Sequence, residues 1–415
     1  MLSINKSNHT HPRLTPAVWA GISGLVLASA INTANAEVVQ ESLETDHLNL
    51  SIERIADGFE HPWAVAFLPD GRYLVSERSG QLKLVDPTNG ETSTLEGMPE
   101  VSPRGQGGLL DVVLHPDFEG GDGEGDNDWV YFTWSKPDGN DSRSALSRVK
   151  WQGDELGEVE HLFEQDRASG PGRHYGSRLA WLPDGTLLMS IGDRGSEPPR
   201  AQASDDHAGS TLRLTATGDV PDDNPFVDDD TTLDEIYSMG NRNIQGMTVL
   251  SNGEAWASEH GPRTGDELNH IQAGNNYGWP TVSQGNDYAT NEPIGEDSLP
   301  GMVDPVYVFE GRFAPAGLTE VTSDAFGEWQ GNLLAGGLGS EKLLRLRLEE
   351  GRVAEEELIL QGEVGRIRDV RQGADGAIYL LTDDPKGSLY RLAPTSQQTN
   401  KPTNQQTNSV SLTRR

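Results

Sequence analysis

Four glycine-containing polar segments carry side chains that could do chemistry together: GQGGLLD at 105–111, GRHYGSRL at 172–179, GNRNIQG at 240–246 and GRIRDVR at 365–371. His174 is the best candidate for a proton acceptor, because imidazole titrates near neutral pH and can take a proton from an alcohol. The alternative is a structural histidine that hydrogen-bonds within the fold.

The neighbouring segments supply hydrogen-bonding groups. Arg242 beside Asn243 offers donors for a developing oxyanion, although Arg242 could instead pair with a nearby carboxylate. Gln106 lies between glycines, where it could contact a ligand or stabilise its own turn.

Two arginines at spacing two favour an anionic ligand. Arg366 and Arg368 on an extended segment would point to one face, where both could hold planar carboxylates. Arg368 could instead pair with Asp369. Other chemistries are disfavoured, because the chain has no cysteine, no G-x-S-x-G and no G-x-G-x-x-G phosphate loop that enters a helix.

The elements that must position these residues are repeated hairpins. Short apolar runs broken by Pro-Asp-Gly, Asn-Gly or Asp-Gly turns recur at 64–78, 179–193, 247–260 and 370–383, and a related unit spans 109–118 and 129–135. Third strands are predicted at 81–86 and 388–393. Sustained helical periodicity is nearly absent, so we predict an all-β propeller, in which the four polar segments would converge on the axis. A β-sandwich is the alternative.

The two ends of the chain differ from this pattern. Basic residues, an apolar run at 17–30 and Ala34-Asn35-Ala36 predict a signal peptide over 1–36, cleaved after Ala36, and therefore a periplasmic or secreted protein. A buried N-terminal helix is the alternative. We expect a linker at 37–48, the propeller at 49–394 and a disordered polar tail at 395–415.

Charge excludes several partners. The net charge is −33, which would repel nucleic acid and anionic lipid, and the apolar run at 17–30 is too short to span a membrane. We therefore predict no nucleic-acid partner and no stable membrane insertion.

The ordered motifs resemble those of the soluble quinoprotein glucose/sorbosone dehydrogenase family, and most closely its bacterial aldose sugar dehydrogenases. The similarity runs from His61-Pro62-Trp63-Ala64 to Leu392. Its further markers are GQGGLLDVVLHPDF, HYGSRLAWLPDG, GNRNIQGM, EHGPRTGDELN, NNYGWP and GRIRDVR.

This resemblance implies a six-bladed β-propeller with four-stranded antiparallel blades, which binds pyrroloquinoline quinone (PQQ) and calcium. It implies oxidation of aldose sugars at the anomeric carbon to lactones by hydride transfer to PQQ, with an electron acceptor such as a quinone, a dye or a small redox protein. His174 takes the general-base position, and Arg242 stabilises charge on the quinone oxygen. The other matched PQQ contacts are Gln106, Asn243, Tyr288, Arg366 and Arg368.

The stretch SEHGPRTGDELN at 258–269 acquires a role by the same resemblance. Gly261 and Pro262 match the pair whose main-chain carbonyls hold calcium against PQQ, and calcium prefers such oxygen ligands. Glu267 and the carbonyl of Tyr277 match ligands of a second calcium. The alternative for this stretch is an ordinary turn with an exposed acid.

Two departures from the family pattern bear on function. Arg173 stands where glucose-oxidising relatives have an acid, so narrow glucose specificity does not follow. Leu338-Gly339 lacks the cofactor-contacting lysine of relatives, and Lys342 comes only three residues later. Two other functions are carried as alternatives: a calcium-dependent lactone hydrolase and a non-catalytic binding propeller.

Overall fold

A computed structural model describes residues 36–121 and 125–395 as six antiparallel sheets. Five sheets have four strands and the last has five. The first strand of each of the six repeats contacts the first strand of the next, and the sixth contacts the first, so the sheets close a ring around an axis. The prediction of a six-bladed β-propeller with four-stranded antiparallel blades is confirmed.

Strands are numbered in chain order, and blades follow the same order. Blade 1 comprises β3 (Pro62–Phe67), β4 (Tyr73–Glu77), β5 (Leu82–Val85) and β6 (Thr92–Leu95). Blade 2 comprises β7 (Leu109–Leu114), β8 (Trp129–Asp138), β9 (Asp141–Trp151) and β10 (Leu156–Glu164). Blade 3 comprises β11 (Leu179–Trp181), β12 (Leu187–Ile191), β13 (Ser210–Leu214) and β14 (Ile236–Met239).

Blade 4 comprises β15 (Ile244–Val249), β16 (Ala255–Glu259), β17 (Glu267–Ile271) and β18 (Tyr307–Val308). Blade 5 comprises β19 (Pro315–Glu320), β20 (Leu333–Gly337), β21 (Lys342–Glu349) and β22 (Arg352–Gln361). Blade 6 comprises β23 (Ile367–Gln372), β24 (Ile378–Thr382), β25 (Gly387–Pro394), β2 (Asn49–Phe59) and β1 (Glu37–Glu44). Two short 3₁₀ helices lie between strands, at Pro198–Gln202 and Asp324–Trp329.

The recurring turns form the inner hairpin of a blade, as predicted. In blade 1, the Leu68 amide donates to the Arg72 carbonyl at 2.8 Å, and the Asp70 carboxylate accepts from the Arg72 amide. Gly71 completes the turn with φ of 91°, a conformation that glycine adopts without strain. Alternating apolar residues on the two strands then face the neighbouring blades.

The core consists of apolar layers between blades. Trp63, Leu74, Leu109, Val130 and Trp151 are buried in one layer between blades 1 and 2. Such layers require apolar residues on both faces of most blades. This requirement accounts for the continuous burial of second strands such as β4, β12 and β24.

The sixth blade closes the ring with strands from both ends of the described chain. β2 pairs with β25, and β1 pairs with β2 on the outer edge. Residues 37–44, predicted as linker, therefore form a fifth strand, because Leu43 and Leu48 pack against the apolar layer of blade 6. The predicted signal peptide and polar tail lie outside the described residues except for Ala36 and Thr395.

No helix within residues 36–121 and 125–395 is long and apolar enough to cross a membrane.

Candidate active site

A cavity of about 290 Å³ lies where the segments before the six inner strands meet. Every blade contributes a residue from the start of its inner strand or from the turn before it. These residues are Trp63, Gln106, His174, Arg242, Asn243, Arg312, Ala314, Arg366 and Arg368. The four polar segments of the sequence therefore converge, although they are distant along the chain.

His174 is held by a carboxylate and faces this cavity with little solvent exposure. Its Nδ1 donates to Oδ1 of Asp193 at 2.6 Å, and its side chain is 12% exposed. The second oxygen of Asp193 accepts from the Trp279 indole at 2.8 Å. This arrangement fixes the imidazole ring and leaves Nε2 as the nitrogen that can accept a proton.

The electrostatic surroundings keep His174 neutral. Burial lowers its pKa below the ordinary value, and the positive charge of Arg242 lowers it further, whereas Asp193 acts in the opposite direction. Burial acts to raise the pKa of Asp193, but the hydrogen bond and charge of His174 outweigh it, so that this pKa is lowered. A neutral imidazole beside an ionised carboxylate is the state that a general base requires.

Amide side chains fix the backbone around His174. Oε1 of Gln106 accepts from the His174 amide at 2.7 Å, so Gln106 joins two blades rather than its own turn. Oδ1 of Asn243 accepts from the Gly176 amide at 3.0 Å. His174 itself has φ of 52°, an uncommon conformation that these contacts help to hold.

Arg242 reaches the cavity without an acidic side-chain partner among the described residues. Its Nη1 donates to the His260 carbonyl at 3.0 Å, and its guanidinium lies 5.3 Å from the Trp279 ring centre. Its backbone amide, rather than its side chain, donates to Glu259. The alternative of a carboxylate-paired arginine is therefore wrong, and the charge stays available to a ligand.

Arg366 and Arg368 do project to one face, where they share Asp383. Each donates from Nη2 to Oδ2 of Asp383 at 3.0 Å. Asp369 instead bonds to Arg178 and Arg371, so Arg368 does not pair with its neighbour. Burial acts to raise the pKa of Asp383, but the charge of Arg368 prevails and the pKa is lowered.

The cavity is strongly cationic in a chain of net charge −33. Its charged lining comprises two aspartates, Asp266 and Asp383, and five arginines, Arg78, Arg242, Arg312, Arg366 and Arg368. Two buried N–H donors of the lining, Nε of Arg242 and Nε of Arg368, also have no hydrogen-bond partner among the described residues. Buried donors without partners are rare, so these atoms favour an anionic ligand with several acceptors.

The Gly261-Pro262 turn forms one wall of the cavity. A side chain at 261 would come within 2.3 Å of the Thr264 and Gly265 carbonyls, so only glycine fits. Asp266 supports the turn, since its two oxygens accept from the amides of Gly261 and Ala314 at 2.9 and 2.7 Å. The turn is therefore rigid, as main-chain ligands to calcium would need to be.

Glu267 and Tyr277 line a separate, smaller cavity behind this turn, together with Glu259. Its volume of about 10 Å³ suits one ion or one water molecule. Glu259 and Glu267 are both buried, and burial together with mutual repulsion raises the pKa of Glu267. Asn269 donates to Glu259 at 2.8 Å, but neither carboxylate has a cationic side chain within ion-pair distance among the described residues.

A third cavity of about 470 Å³ opens beside His174. It shares Gln106, His174, Arg242, Pro262 and Tyr288 with the cationic cavity. Tyr288 is 55% exposed at this junction. His174 thus lies between two spaces, one cationic and one large enough for a sugar.

Sequence reasoning missed several residues of these cavities. Asp193 ends a predicted hairpin but lies 19 positions from His174, and Asp383 lies 15 positions from Arg368. Glu259 and Arg312 also went unnoticed. Only the adjacency of Glu259 to the Gly-Pro turn offered a signal, because the other contacts depend on how blades meet.

No group of three or more His, Cys, Asp or Glu side chains suited to a metal ion occurs within the described ranges. A calcium ion on this chain would therefore depend on main-chain carbonyls and on the Glu259 and Glu267 pair.

The family model for Glucose / Sorbosone dehydrogenase matches residues 59–391. The chain belongs to this family. It is 36% identical over 351 residues to the aldose sugar dehydrogenase YliI of Escherichia coli (strain K12), which covers 83% of this chain and 93% of that protein.

Solved structures agree with this assignment. The apo form of the soluble aldose sugar dehydrogenase of Escherichia coli superposes with a TM-score of 0.79 at 34% identity, over 83% of this chain and all of that one. The PQQ-bound form of the aldose sugar dehydrogenase from Streptomyces coelicolor superposes with a TM-score of 0.67 at 29% identity, over 83% and 98% of the two chains.

Proposed function

We propose that this protein is a PQQ- and calcium-dependent aldose sugar dehydrogenase, which oxidises the anomeric carbon of aldoses to give lactones. The observation that carries the proposal is the position of His174, held by Asp193 between a cationic cavity and a second cavity of about 470 Å³. Family membership and the PQQ-bound relative from Streptomyces coelicolor support the same function.

The residues of the cationic cavity fit PQQ, a quinone that carries carboxylate groups. The excess of arginine and the unpartnered Nε–H groups of Arg242 and Arg368 match an anion with several oxygen acceptors. Arg366 and Arg368 would hold its carboxylates, with Gln106, Asn243 and Tyr288 as further contacts. When bound with calcium, PQQ supplies the two-electron oxidant for the sugar.

His174 would take the proton of the anomeric hydroxyl at Nε2. Asp193 accepts from Nδ1 at 2.6 Å and stabilises the imidazolium that this transfer produces. Arg242 would donate hydrogen bonds to oxygen atoms that become more negative during the reaction. The buried Trp279 holds Asp193 in place by its indole bond at 2.8 Å.

Main-chain oxygens at Gly261 and Pro262 would hold calcium at the wall of the cavity. The rigid turn and the hard oxygen donors suit this ion. Glu259, Glu267 and the carbonyl of Tyr277 would hold a second calcium in the smaller cavity, where a cation would relieve the repulsion of the two carboxylates.

A lactone hydrolase fits less well. Such an enzyme would need several carboxylate side chains around an axial metal. Asp266 and Asp383 are the acidic side chains that line the cationic cavity among the described residues. Asp266 already accepts from two backbone amides, and Asp383 already pairs with Arg366 and Arg368. A non-catalytic binding propeller would not require the His174 and Asp193 pair beside a second cavity.

The test is reconstitution of protein produced without PQQ. We expect dye reduction with aldoses only when PQQ and Ca²⁺ are both added. His174→Ala should lower kcat by about 10²- to 10⁴-fold, the usual contribution of a general base, and should still bind PQQ.

His161→Gln is the matched control, because His161 is exposed on the outer strand of blade 2. It should keep full activity. Lactone opening without PQQ would support the hydrolase instead, and PQQ uptake without any dye reduction would support a binding protein.

A further inference from the structure

We propose that Arg312, at the rim of the cationic cavity, forms a carboxylate clamp with Arg366 across the Leu338-Gly339 turn. This inference rests on the proposed function, since the ligand of the clamp is a carboxylate of PQQ. Arg312 belongs to none of the four polar segments, and it precedes the inner strand of blade 5.

The two arginines flank the same turn. Arg366 donates from Nη1 to the Leu338 carbonyl at 3.2 Å, which fixes its guanidinium on one side. On the other side, the Gly339 amide donates to the Phe313 carbonyl at 3.2 Å, directly beside Arg312. The turn therefore contacts Arg366 of blade 6 and the segment before blade 5 that carries Arg312, and both arginines line the cavity.

Gly339 leaves the space between them open. A Cβ atom at this position would lie 3.3 Å from the Arg312 carbonyl and 3.1 Å from the Ala314 side chain, so a larger residue would crowd the loop that carries Arg312. Gly339 is also exposed and lines the cavity. A carboxylate above Gly339 would meet backbone below and the Arg366 guanidinium at the Leu338 carbonyl, and Arg312 would reach it by turning its exposed side chain inward.

Among the five arginines that line the cavity, Arg312 has the fewest hydrogen-bond partners within the described residues. Arg366 and Arg368 bond to Asp383, Arg78 bonds to the Gly107 carbonyl, and Arg242 bonds to the His260 carbonyl. Arg312 makes no hydrogen bond or ion pair with any residue in 36–121 or 125–395 and is exposed. Its guanidinium can therefore turn to a ligand without breaking an internal contact.

The chemistry favours a carboxylate as the shared ligand. Guanidinium groups bind carboxylates by paired, charge-assisted hydrogen bonds. Ordering an exposed arginine costs entropy, which reduces the gain.

The test is equilibrium binding of PQQ in the presence of Ca²⁺, followed by quenching of tryptophan fluorescence, since Trp63 lines the cavity. This readout does not depend on turnover. We expect Arg312→Gln to raise the Kd about 10- to 100-fold and Arg312→Glu to raise it more. Arg312→Lys should lie between the wild type and Arg312→Gln.

Arg352→Gln is the matched control, because Arg352 is exposed on the outer strand of blade 5 and its loss changes net charge equally. It should bind PQQ like the wild type. PQQ trimethyl ester, which keeps the quinone but lacks the carboxylate charges, should bind the wild type and Arg312→Gln with similar affinity.

The outcomes separate this inference from the proposed function. If the wild type binds PQQ and all three Arg312 variants bind it equally well, the clamp is wrong while the dehydrogenase proposal stands. If the wild type does not bind PQQ, both fail. Because Arg312 has no partner among residues 36–121 and 125–395, the variants should have the same Tm as the wild type. Arg312→Lys, which retains the charge, serves as the test should Arg312→Gln prove unstable.

Discussion

Two adjacent cavities on either side of the Gly261-Pro262 turn contain opposite charges. The cationic cavity has five arginines against two aspartates, whereas the small cavity behind the Gly261-Pro262 turn holds Glu259 and Glu267, which lie opposite each other on paired strands. Arg242, His260 and Gly261 line both. Each cavity therefore has an uncompensated charge that a ligand of opposite sign would balance.

The difference shows how the protein separates two kinds of ligand. Burying charges of one sign is costly unless a counter-ion joins them. His260 lies between the two cavities as a neutral ring, because burial and the charge of Arg242 lower its pKa to about 3. We infer that the arginines serve an anionic cofactor and the glutamates serve calcium.

The largest effect on activity is expected at Arg242, which lines both cavities. Arg242→Gln should lower kcat by about 10²- to 10³-fold, since it removes a donor to the reacting oxygen.

The pH dependence of kcat should change in the same variant. Burial and then Arg242 lower the pKa of His174, so the acid limb of kcat in the wild type should lie below the ordinary value of 6.5.

Removing the cation makes the imidazolium less unfavourable, so the pKa of His174 rises and Arg242→Gln should lose activity at a higher pH than the wild type. A pH profile of kcat under saturating PQQ measures this shift. An acid limb that stays in place or moves to lower pH would show that Arg242 does not act on His174.

The next effect separates the two cavities by ligand. Arg366→Gln should weaken PQQ binding about 10- to 100-fold and leave calcium stabilisation of the apoprotein unchanged. Glu267→Gln should abolish most of the rise in Tm that Ca²⁺ gives the wild type. At a Ca²⁺ concentration of 100 times Kd, binding should add about 2 to 3 kcal/mol to the free energy of unfolding of the wild type. Calorimetry with and without Ca²⁺, beside PQQ titration, checks both.

Glu320→Gln is a suitable control for the second variant, since Glu320 is a carboxylate on blade 5 away from both cavities. It should leave the calcium-dependent increment in Tm intact. Equal loss of PQQ affinity and calcium stabilisation in both cavity variants would mean that the two cavities act as one site.

The smallest expected effect is that of salt on the whole chain. Because the net charge is −33, moderate NaCl should screen self-repulsion and raise Tm by a few degrees, while it weakens PQQ binding in the cationic cavity. A melting series from low to moderate ionic strength tests the first part. A flat or falling Tm would contradict it.

Much of the fold could be predicted from local turn chemistry. Pro-Asp-Gly, Asn-Gly and Asp-Gly signals mark inner hairpins in blades 1, 3, 4 and 6, where they occur. Blade 5 lacks such a signal, because its inner strands are joined through the 3₁₀ helix at Asp324–Trp329. Residues 37–48 were predicted as a linker, whereas Glu37–Glu44 forms β1 by pairing with β2.

The candidate site was predictable where glycine-containing segments mark the start of an inner strand. His174, Arg242 and Arg366 were found in this way, and the structure brings them to one cavity. Asp193 and Arg312 were not found, since an aspartate or arginine in a loop gives no sign of the neighbour it will meet.

A crystal structure of the protein soaked with PQQ and Ca²⁺ tests the central claim most directly. We predict PQQ in the cavity at the starts of the six inner strands, with its carboxylates at Arg366 and Arg368, its quinone near His174 and Arg242, and calcium on the Gly261-Pro262 turn. PQQ bound elsewhere, or a cavity that stays empty at saturating PQQ, would contradict the account.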